Sequence, residues 1–218
     1  MASPAFRVSQ PYQGLYHVVF PLRPGRVGEV DLAFHFLRFQ EHYESPGFKG
    51  TVFSWAQYVA WYKRVRGAFS YPDDWGGFNI PGKILTPFRG GAFDPLTKRE
   101  RALLEALKDV QPQDYVIGTL DEDPEALAHE LAHAFWHLDG AYRAQALAIL
   151  AGGDYRRQHA RLASGEGYDP MVYDDEIQAC AIDGDADCAP DAPRCEALRE
   201  LFEATQARLR RRSHRVPR

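Results

Sequence analysis

The chain contains 218 residues, of which 45% are hydrophobic and 26% are charged. These values are typical of a globular protein and exclude a disordered, collagen-like or coiled-coil chain. The net charge of −4 provides no overall positive field for nucleic acid, and no apolar run approaches the ~20 residues of a membrane-spanning helix. We therefore expect one domain over residues 1–206 with neither a membrane nor a nucleic-acid partner, and a basic tail over residues 207–218 that is disordered.

The first half of the chain is predicted to contain short, mixed elements. In chain order, these are a strand over residues 16–20, a buried helix over 31–44, a helix capped by Ser54, and a helix that begins at Asp94 or Thr97. Between the last two of these helices, residues 70–91 contain five glycines and three prolines. This density forbids long regular elements, so we predict a structured loop or a few short strands there.

Helices dominate the predicted second half. Residues 114–120 are β-branched and aromatic, which predicts a strand. Asp123 and Pro124 predict the start of a helix that continues to Leu138, because Asp caps free N–H groups and Pro suits the first turn. Asp139 is expected to end this helix and cap the next. Further helices are predicted over 141–150, over 155–163 and from Tyr173, so the chain is predicted to have an α+β fold.

The motif His129-Glu130-Leu131-Ala132-His133 lies on the helix that follows Asp123. Residues four apart share one helical face, so both imidazoles can reach one metal ion, and neutral histidine is a good zinc ligand. Glu130 is rotated by ~100° from His129 and can reach a water molecule at the metal. The motif therefore predicts Zn²⁺ bound by His129 and His133, with Glu130 as the catalytic base for hydrolysis.

This HExxH motif, on a helix that follows a strand, resembles that of the zincin class of zinc metallopeptidases. The resemblance covers residues 115–179 and implies a zincin-like fold, with a small mixed sheet beside the active-site helix and a helical C-terminal half. It also implies that a strand aligns an extended peptide substrate. The candidate is residues 116–120, because an exposed strand edge offers unpaired N–H and C=O groups. We therefore expect a zinc metallopeptidase that acts on a peptide or protein substrate.

A catalytic zinc needs a third protein ligand, and the sequence offers several candidates. Glu176 lies 43 residues after His133 on a predicted helix. The chain resembles the gluzincins, zincins in which a glutamate on a later helix completes the site, and this resemblance favours Glu176. The ExxxD pattern of those enzymes is incomplete here, because Cys180 occupies its fourth position. Other candidates are Glu166, Asp169, Asp174 and Asp175.

Two residues closer to the motif are weaker candidates for this third ligand. Asp139 stands where metzincin-like enzymes place their last ligand, but Trp136 replaces the glycine that lets their chain turn back. We therefore predict that Asp139 caps a helix. His137 lies eight residues after His129, which is ~12 Å of axial rise on a straight helix, so one ion cannot bridge the two side chains.

Further side chains are predicted to support the site. Asp174, Asp175 or Asp183 is expected to hold an imidazole N–H of one of the histidine ligands. Tyr168 and Tyr173 precede Glu176, and either one is a candidate catalytic residue that donates a hydrogen bond to the oxyanion.

The compartment and a rival function were judged from weaker signals. The first residues show no secretory signal and the cysteines number three, so we expect a cytoplasmic protein with reduced thiols, unless an oxidising compartment allows a disulfide. The alternative to an enzyme is a non-catalytic, zincin-shaped binding module with structural zinc or none. Such a module would use the aromatic residues of segment 71–93 and the arginine-rich tail.

Overall fold

The fold is taken from a computed structural model that describes residues 6–23, 25–163 and 168–213. Four strands form one mixed sheet, namely β1 (Arg7–Tyr12), β2 (Leu15–Phe20), β3 (Gly77–Pro81) and β4 (Tyr115–Leu120). Their order across the sheet is β1-β2-β4-β3. β2 pairs antiparallel with β1 and parallel with β4, and β3 pairs antiparallel with β4.

The expectation that residues 116–120 form an exposed edge is wrong. β4 pairs on both sides, with β2 and with β3, and all six of its residues are buried. The edge next to it is β3, which comes from the stretch rich in glycine and proline. A short strand was one of the two outcomes predicted for that stretch, and its position at an edge is consistent with Gly and Pro, which are depleted in strands generally and tolerated at edges.

Helices account for most of the remaining described residues. They are α1 (Val27–Glu44), α2 (Trp55–Arg66), α3 (Tyr71–Asp74), α4 (Leu85–Arg89), α5 (Lys98–Ala106), α6 (Pro124–Leu138), α7 (Gly140–Leu150), α8 (Arg156–Arg161), α9 (Tyr173–Asp183) and α10 (Ala192–Ser213). Short 3₁₀ turns cover Gly82–Ile84 and Pro170–Val172. The predicted α+β fold is therefore confirmed. No helix in the described part of the chain is long and apolar enough to cross a membrane.

The predicted helix starts are confirmed by their caps. Ser54 and Thr97 each form a reciprocal capping box, in which the side chain accepts from the backbone N–H three residues on. Asp123 accepts from the N–H of Ala126 at 3.0 Å. Asp139 accepts from the N–H of Ala141 and of Tyr142, so it ends α6 and begins α7.

Two hydrophobic clusters lie on opposite faces of the sheet. The side chain of Val116 packs in the cluster that contains α1, whereas those of Tyr115 and Ile117 pack in the cluster that contains α6 and α9. Gly118 of β4 allows α1 to approach this strand closely, because a Cβ at Gly118 would lie 2.5 Å from the ring of Phe36 on α1. The sheet therefore separates α1 from α6 except at its β3 edge, which both helices contact.

The end of the chain and the cysteines differ from expectation. α10 continues through Ser213, so residues 207–213 are helical; residues 214–218 lie outside the described residues. Within that stretch, Arg208 forms an ion pair with Asp139. Cys180 and Cys188 form a disulfide, so the expectation of reduced thiols is wrong for these two, whereas Cys195 is free and buried.

Candidate metal centre and active site

α6 presents the HExxH residues toward a large cavity. Its apolar side packs in the core through Leu131 and Phe135, which are nearly fully buried. His129 and His133 are one turn apart on another side, and both line the cavity together with Glu130. The amphipathic pattern of this helix therefore fixes which way the two imidazoles point.

Three side chains converge on one point beside α6. The Nε2 atoms of His129 and His133 lie 3.0 Å apart. The carboxylate oxygens of Glu176 on α9 lie 3.7 Å from Nε2 of His129 and 3.6 Å from Nε2 of His133. Ligands ~2.0–2.1 Å from a tetrahedral ion are separated by about 3.3 Å, so these spacings match one coordination sphere. The cluster of His129, His133 and Glu176 could thus hold a metal ion.

Carboxylates on α9 orient both imidazoles. Nδ1 of His129 lies 2.7 Å from Oδ2 of Asp183, and Nδ1 of His133 lies 2.9 Å from Oδ1 of Asp175. A carboxylate at Nδ1 fixes the ring and leaves Nε2 free to bind a metal. Of the three aspartates predicted for this role, Asp175 and Asp183 therefore take it, whereas Asp174 is exposed at the start of α9.

The contact between Asp175 and His133 is supported by hydrogen bonds deeper in the protein. Gln178 donates from Nε2 to Oδ1 of Asp175 at 3.0 Å, and the hydroxyl of Tyr142 donates to Oε1 of Gln178 at 2.7 Å. Gln178 and Tyr142 are fully buried. This chain of hydrogen bonds holds the Asp175 carboxylate rigidly, so the ring of His133 is preorganised for its ligand role.

Burial and nearby carboxylates act in opposite directions on the two imidazoles. Burial alone would lower the pKa of His129, but Asp183 and Glu176 outweigh it and raise this pKa well above its ordinary value. For His133, burial is likewise outweighed by Asp175 and Glu176, which raise the pKa to about 9. A metal ion must therefore displace protons from both rings.

The metal-free protein is accordingly expected to lose stability as the pH rises from 6.5 to 9. The folded-state pKa of His133 is raised, so its contribution is fully present below the unfolded value of 6.5 and is lost as the pH passes about 9. The total loss is on the order of 3 kcal/mol for this residue. Urea unfolding of chelator-treated protein at a series of pH values measures it.

The matched control for this pH effect is His137→Gln. Burial lowers the pKa of His137 to about 4, so this ring does not titrate between pH 6.5 and 9. His137→Gln should keep the slope of stability against pH, and His133→Gln should reduce it to the part that His129 contributes. Equal stability of the metal-free wild type at pH 6.5 and 9 would contradict the assignment.

Glu130 is wedged between α6 and the edge strand. A Cβ on Gly77 would lie 2.3 Å from Oε1 of Glu130, so only glycine fits at this position of β3. Oε2 of Glu130 is buried and has no hydrogen-bond partner among the described residues. Burial raises the pKa of Glu130, an effect that both histidines oppose. A buried carboxylate with one unsatisfied oxygen beside a candidate metal cluster suits a general base.

The outer edge of β3 borders the same cavity. The backbone N–H of Asn79 donates to Oε1 of Gln40 at 3.0 Å, so it points away from β4. Along an antiparallel edge strand, the backbone N–H and C=O of successive residues point alternately toward the paired strand and away from it. Gly77 is two residues before Asn79, so its N–H and C=O also point away from β4. Gly77 lines the cavity, and its backbone groups are placed to pair with an extended chain.

The remaining predicted site residues fall in different places. Tyr168 lines the cavity and its ring packs edge-on against Trp75. Tyr173 instead packs against His159, with ring centroids 5.1 Å apart, and is not among the described residues that line the cavity. The structure therefore places Tyr168, but not Tyr173, on the wall of the cavity that contains the metal cluster.

The described alternatives for the third ligand make contacts with groups outside the cluster of His129, His133 and Glu176. Asp139 caps α7 and pairs with Arg208, and His137 packs on Tyr115. Asp169 caps the turn before α9 and pairs with Lys49 at 3.0 Å. Glu166 lies outside the described residues.

Sequence reasoning missed one part of the site. Glu41 and Glu44 on α1 also line the cavity, although both are more than nine-tenths buried. Their spacing from Leu37, four and seven residues on, places them on the same buried helical face. This helical spacing was the signal in the sequence that could have predicted their burial.

No protein-family model, curated protein or solved structure matches this chain significantly. The chemistry that this site can perform therefore follows from its own geometry.

Proposed function

We propose that this protein is a zinc-dependent hydrolase of the zincin type that cleaves peptide bonds. The observation that carries the proposal is the convergence of His129, His133 and Glu176 beside the buried carboxylate of Glu130. Two imidazoles and one carboxylate are a donor set that suits zinc, which keeps its fourth position open in catalytic sites. The carboxylates at both Nδ1 atoms support the same function, because they orient the rings before any metal binds.

Each side chain has a distinct role in this proposal. Zinc held by the three ligands would act as a Lewis acid and lower the pKa of a water molecule toward 7. Glu130 accepts the proton of that water and delivers it to the leaving amine. Tyr168, on the wall of the same cavity, is the candidate donor to the carbonyl oxygen as negative charge develops there.

The edge strand supports a peptide as the substrate class. β3 is antiparallel to β4 and lies beside α6, and the outward N–H and C=O of Gly77 border the cavity that contains the metal ligands. An extended peptide that adds to this edge would place its backbone across the site by main-chain hydrogen bonds. Gly77 would then contact both the substrate and Glu130, so the strand sets the distance between the base and the bound peptide.

The proposal is tested with the full chain loaded with one equivalent of zinc. Incubation with a mixture of synthetic peptides, followed by mass spectrometry, should reveal cleavage products. The products should disappear after treatment with a chelator and return when zinc is added back. A zinc-loaded protein that cleaves no peptide in such a mixture contradicts the proposed peptidase activity, and one that takes up no zinc contradicts the metal site.

A further inference from the structure

The cavity extends well beyond the metal ligands. It encloses about 750 Å³ and is lined by two groups of elements. α6 and α9 supply the metal cluster, whereas α1 and α2 supply a second group of side chains with different chemistry. A water molecule and one carbonyl group would use only the first part, so the second part is available to recognise another feature of the substrate.

Two buried carboxylates define this second part. Glu41 and Glu44 are 7% and 8% exposed. Glu44 accepts a hydrogen bond from Nε2 of Gln40 at 2.5 Å, and Gln40 is itself held by the backbone of Asn79. Neither carboxylate forms an ion pair within the described ranges. The hydroxyl groups that face Glu41, including those of Tyr58 and Tyr71, carry no positive charge. Arg66 attracts Glu41 and His133 attracts Glu44 only at longer range. Buried charges without a cationic partner are costly, so such a pair indicates a missing cation.

A neighbouring hydroxyl adds a second, independent indication. Ser45 follows α1, is 4% exposed and lines the same cavity. Its Oγ lies near the Glu41 carboxylate but makes no well-formed hydrogen bond to any described group. Buried polar atoms are normally satisfied, so an unsatisfied hydroxyl on a cavity wall points to a ligand that provides the partner.

The charge of the cavity favours a cation. Seven carboxylates and two arginines are among its lining side chains. One of these arginines, Arg161, already pairs with Asp185 and Asp187. A divalent metal ion would offset part of this negative charge and leave the cavity acidic. Burial raises the pKa of Glu41 to about 7, and a bound cation would favour its charged form.

Aromatic rings complete the wall. Tyr58, Trp61 and Tyr62 on α2 line the cavity beside the carboxylates. Aromatic faces attract ammonium and guanidinium groups. The guanidinium of Arg66 already lies 6.0 Å from the centroid of the Tyr62 ring, which illustrates that this wall accommodates a cation.

We propose that Glu41 and Glu44 bind a positively charged nitrogen of the substrate, so that the enzyme selects peptides that present such a group to this part of the cavity. The inference rests on the proposed function, because the cation site shares its cavity with the metal ligands. Such a nitrogen has two sources in a peptide, namely the free amino terminus and the side chain of lysine or arginine. Both present N–H donors that carboxylates, the Ser45 hydroxyl and aromatic faces can satisfy together.

Binding to the zinc-loaded Glu130→Gln variant tests the cation site without requiring cleavage. Four matched peptides are compared by calorimetry, each with either lysine or norleucine at one position and with either a free or an acetylated amino terminus. At least one of the two charges should tighten binding about tenfold or more. Which charge has this effect identifies the source of the nitrogen. Equal binding of all four peptides overturns the inference.

A second comparison assigns the effect to Glu41. Glu41→Gln keeps the shape of the side chain and removes its charge, so the preference for the charged peptide should fall severalfold when it is combined with Glu130→Gln. Glu105→Gln is the matched control, because Glu105 lies on α5 with a 79% exposed side chain. A full preference in the Glu41→Gln background rejects the role of Glu41. The peptide comparison needs no variant of Glu41, so it decides the matter even if this variant does not fold.

The two proposals fail in different ways. If wild-type protein cleaves charged and neutral peptides equally well, the cation site is rejected and the peptidase proposal stands. If no peptide is cleaved but charged peptides bind preferentially, the peptidase proposal is rejected and the cation site stands.

Discussion

Glu130→Gln is expected to lower kcat/KM for peptide hydrolysis by about a hundredfold to ten-thousandfold. A positioned general base contributes typically 10²–10⁴-fold to such a rate, and glutamine cannot accept the proton. Glutamine has nearly the same volume as glutamate. It should therefore fit in the same place beside Gly77, where the side chain of Glu130 already fills the space that a Cβ would occupy. The loss should therefore appear in kcat, with little change in KM or in the free energy of unfolding.

Two measurements separate this effect from a structural one. The zinc content of Glu130→Gln, determined by mass spectrometry of the purified protein, should equal that of the wild type, because Glu130 is not among the three clustered ligands. Glu125→Gln, an exposed position at the start of the same helix, should leave activity unchanged. A Glu130→Gln variant with wild-type activity would show that another group takes the proton.

Glu176→Gln is expected to weaken zinc binding more than 100-fold. Loss of a partner that merely orients a ligand costs about 10–100-fold in metal affinity. Glu176 instead contributes an oxygen to the cluster itself, and its side chain is 4% exposed, so water has little access to replace it. Competition with a zinc-binding dye of known affinity measures the change.

Asp139→Asn is the matched control for Glu176→Gln, because Asp139 was the rival for the third ligand position. Its carboxylate caps α7 and pairs with Arg208. Asn remains a good N-cap, so this variant should lose a modest part of its stability and keep its affinity for zinc. The reverse result, in which Asp139→Asn loses zinc and Glu176→Gln retains it, would contradict the ligand assignment.

The helix that carries the HExxH motif was predictable because several local signals agreed. Asp123 and Pro124 define its start, the apolar stripe defines its buried side, and the HExxH spacing places both histidines on one face. Glu176 was favoured by residue type and by its position on a later helix. Its approach to the histidines depends on how α9 packs against α6, and that tertiary contact leaves no local pattern in the sequence.

The edge of the sheet was not predictable in the same way. β3 has only five residues, begins with glycine and ends with proline, so its propensity argues against a strand. What makes it a strand is its pairing with β4, whose residues lie 34 to 42 positions further along the chain. The buried pair Glu41 and Glu44 was also missed. Charged residues are rarely buried, so their type did not indicate it. The cavity that they line forms only when α1, α2 and α6 pack together, which is again a tertiary effect.

One helix holds the candidate metal centre together. α9 supplies the ligand Glu176 and also Asp175 and Asp183, the groups that hold His133 and His129. Undocking of α9 from α6 would therefore remove one coordinating oxygen and release both rings in a single event. A site with α9 undocked would therefore bind a metal ion weakly, because it would lose one ligand and the orientation of the other two together.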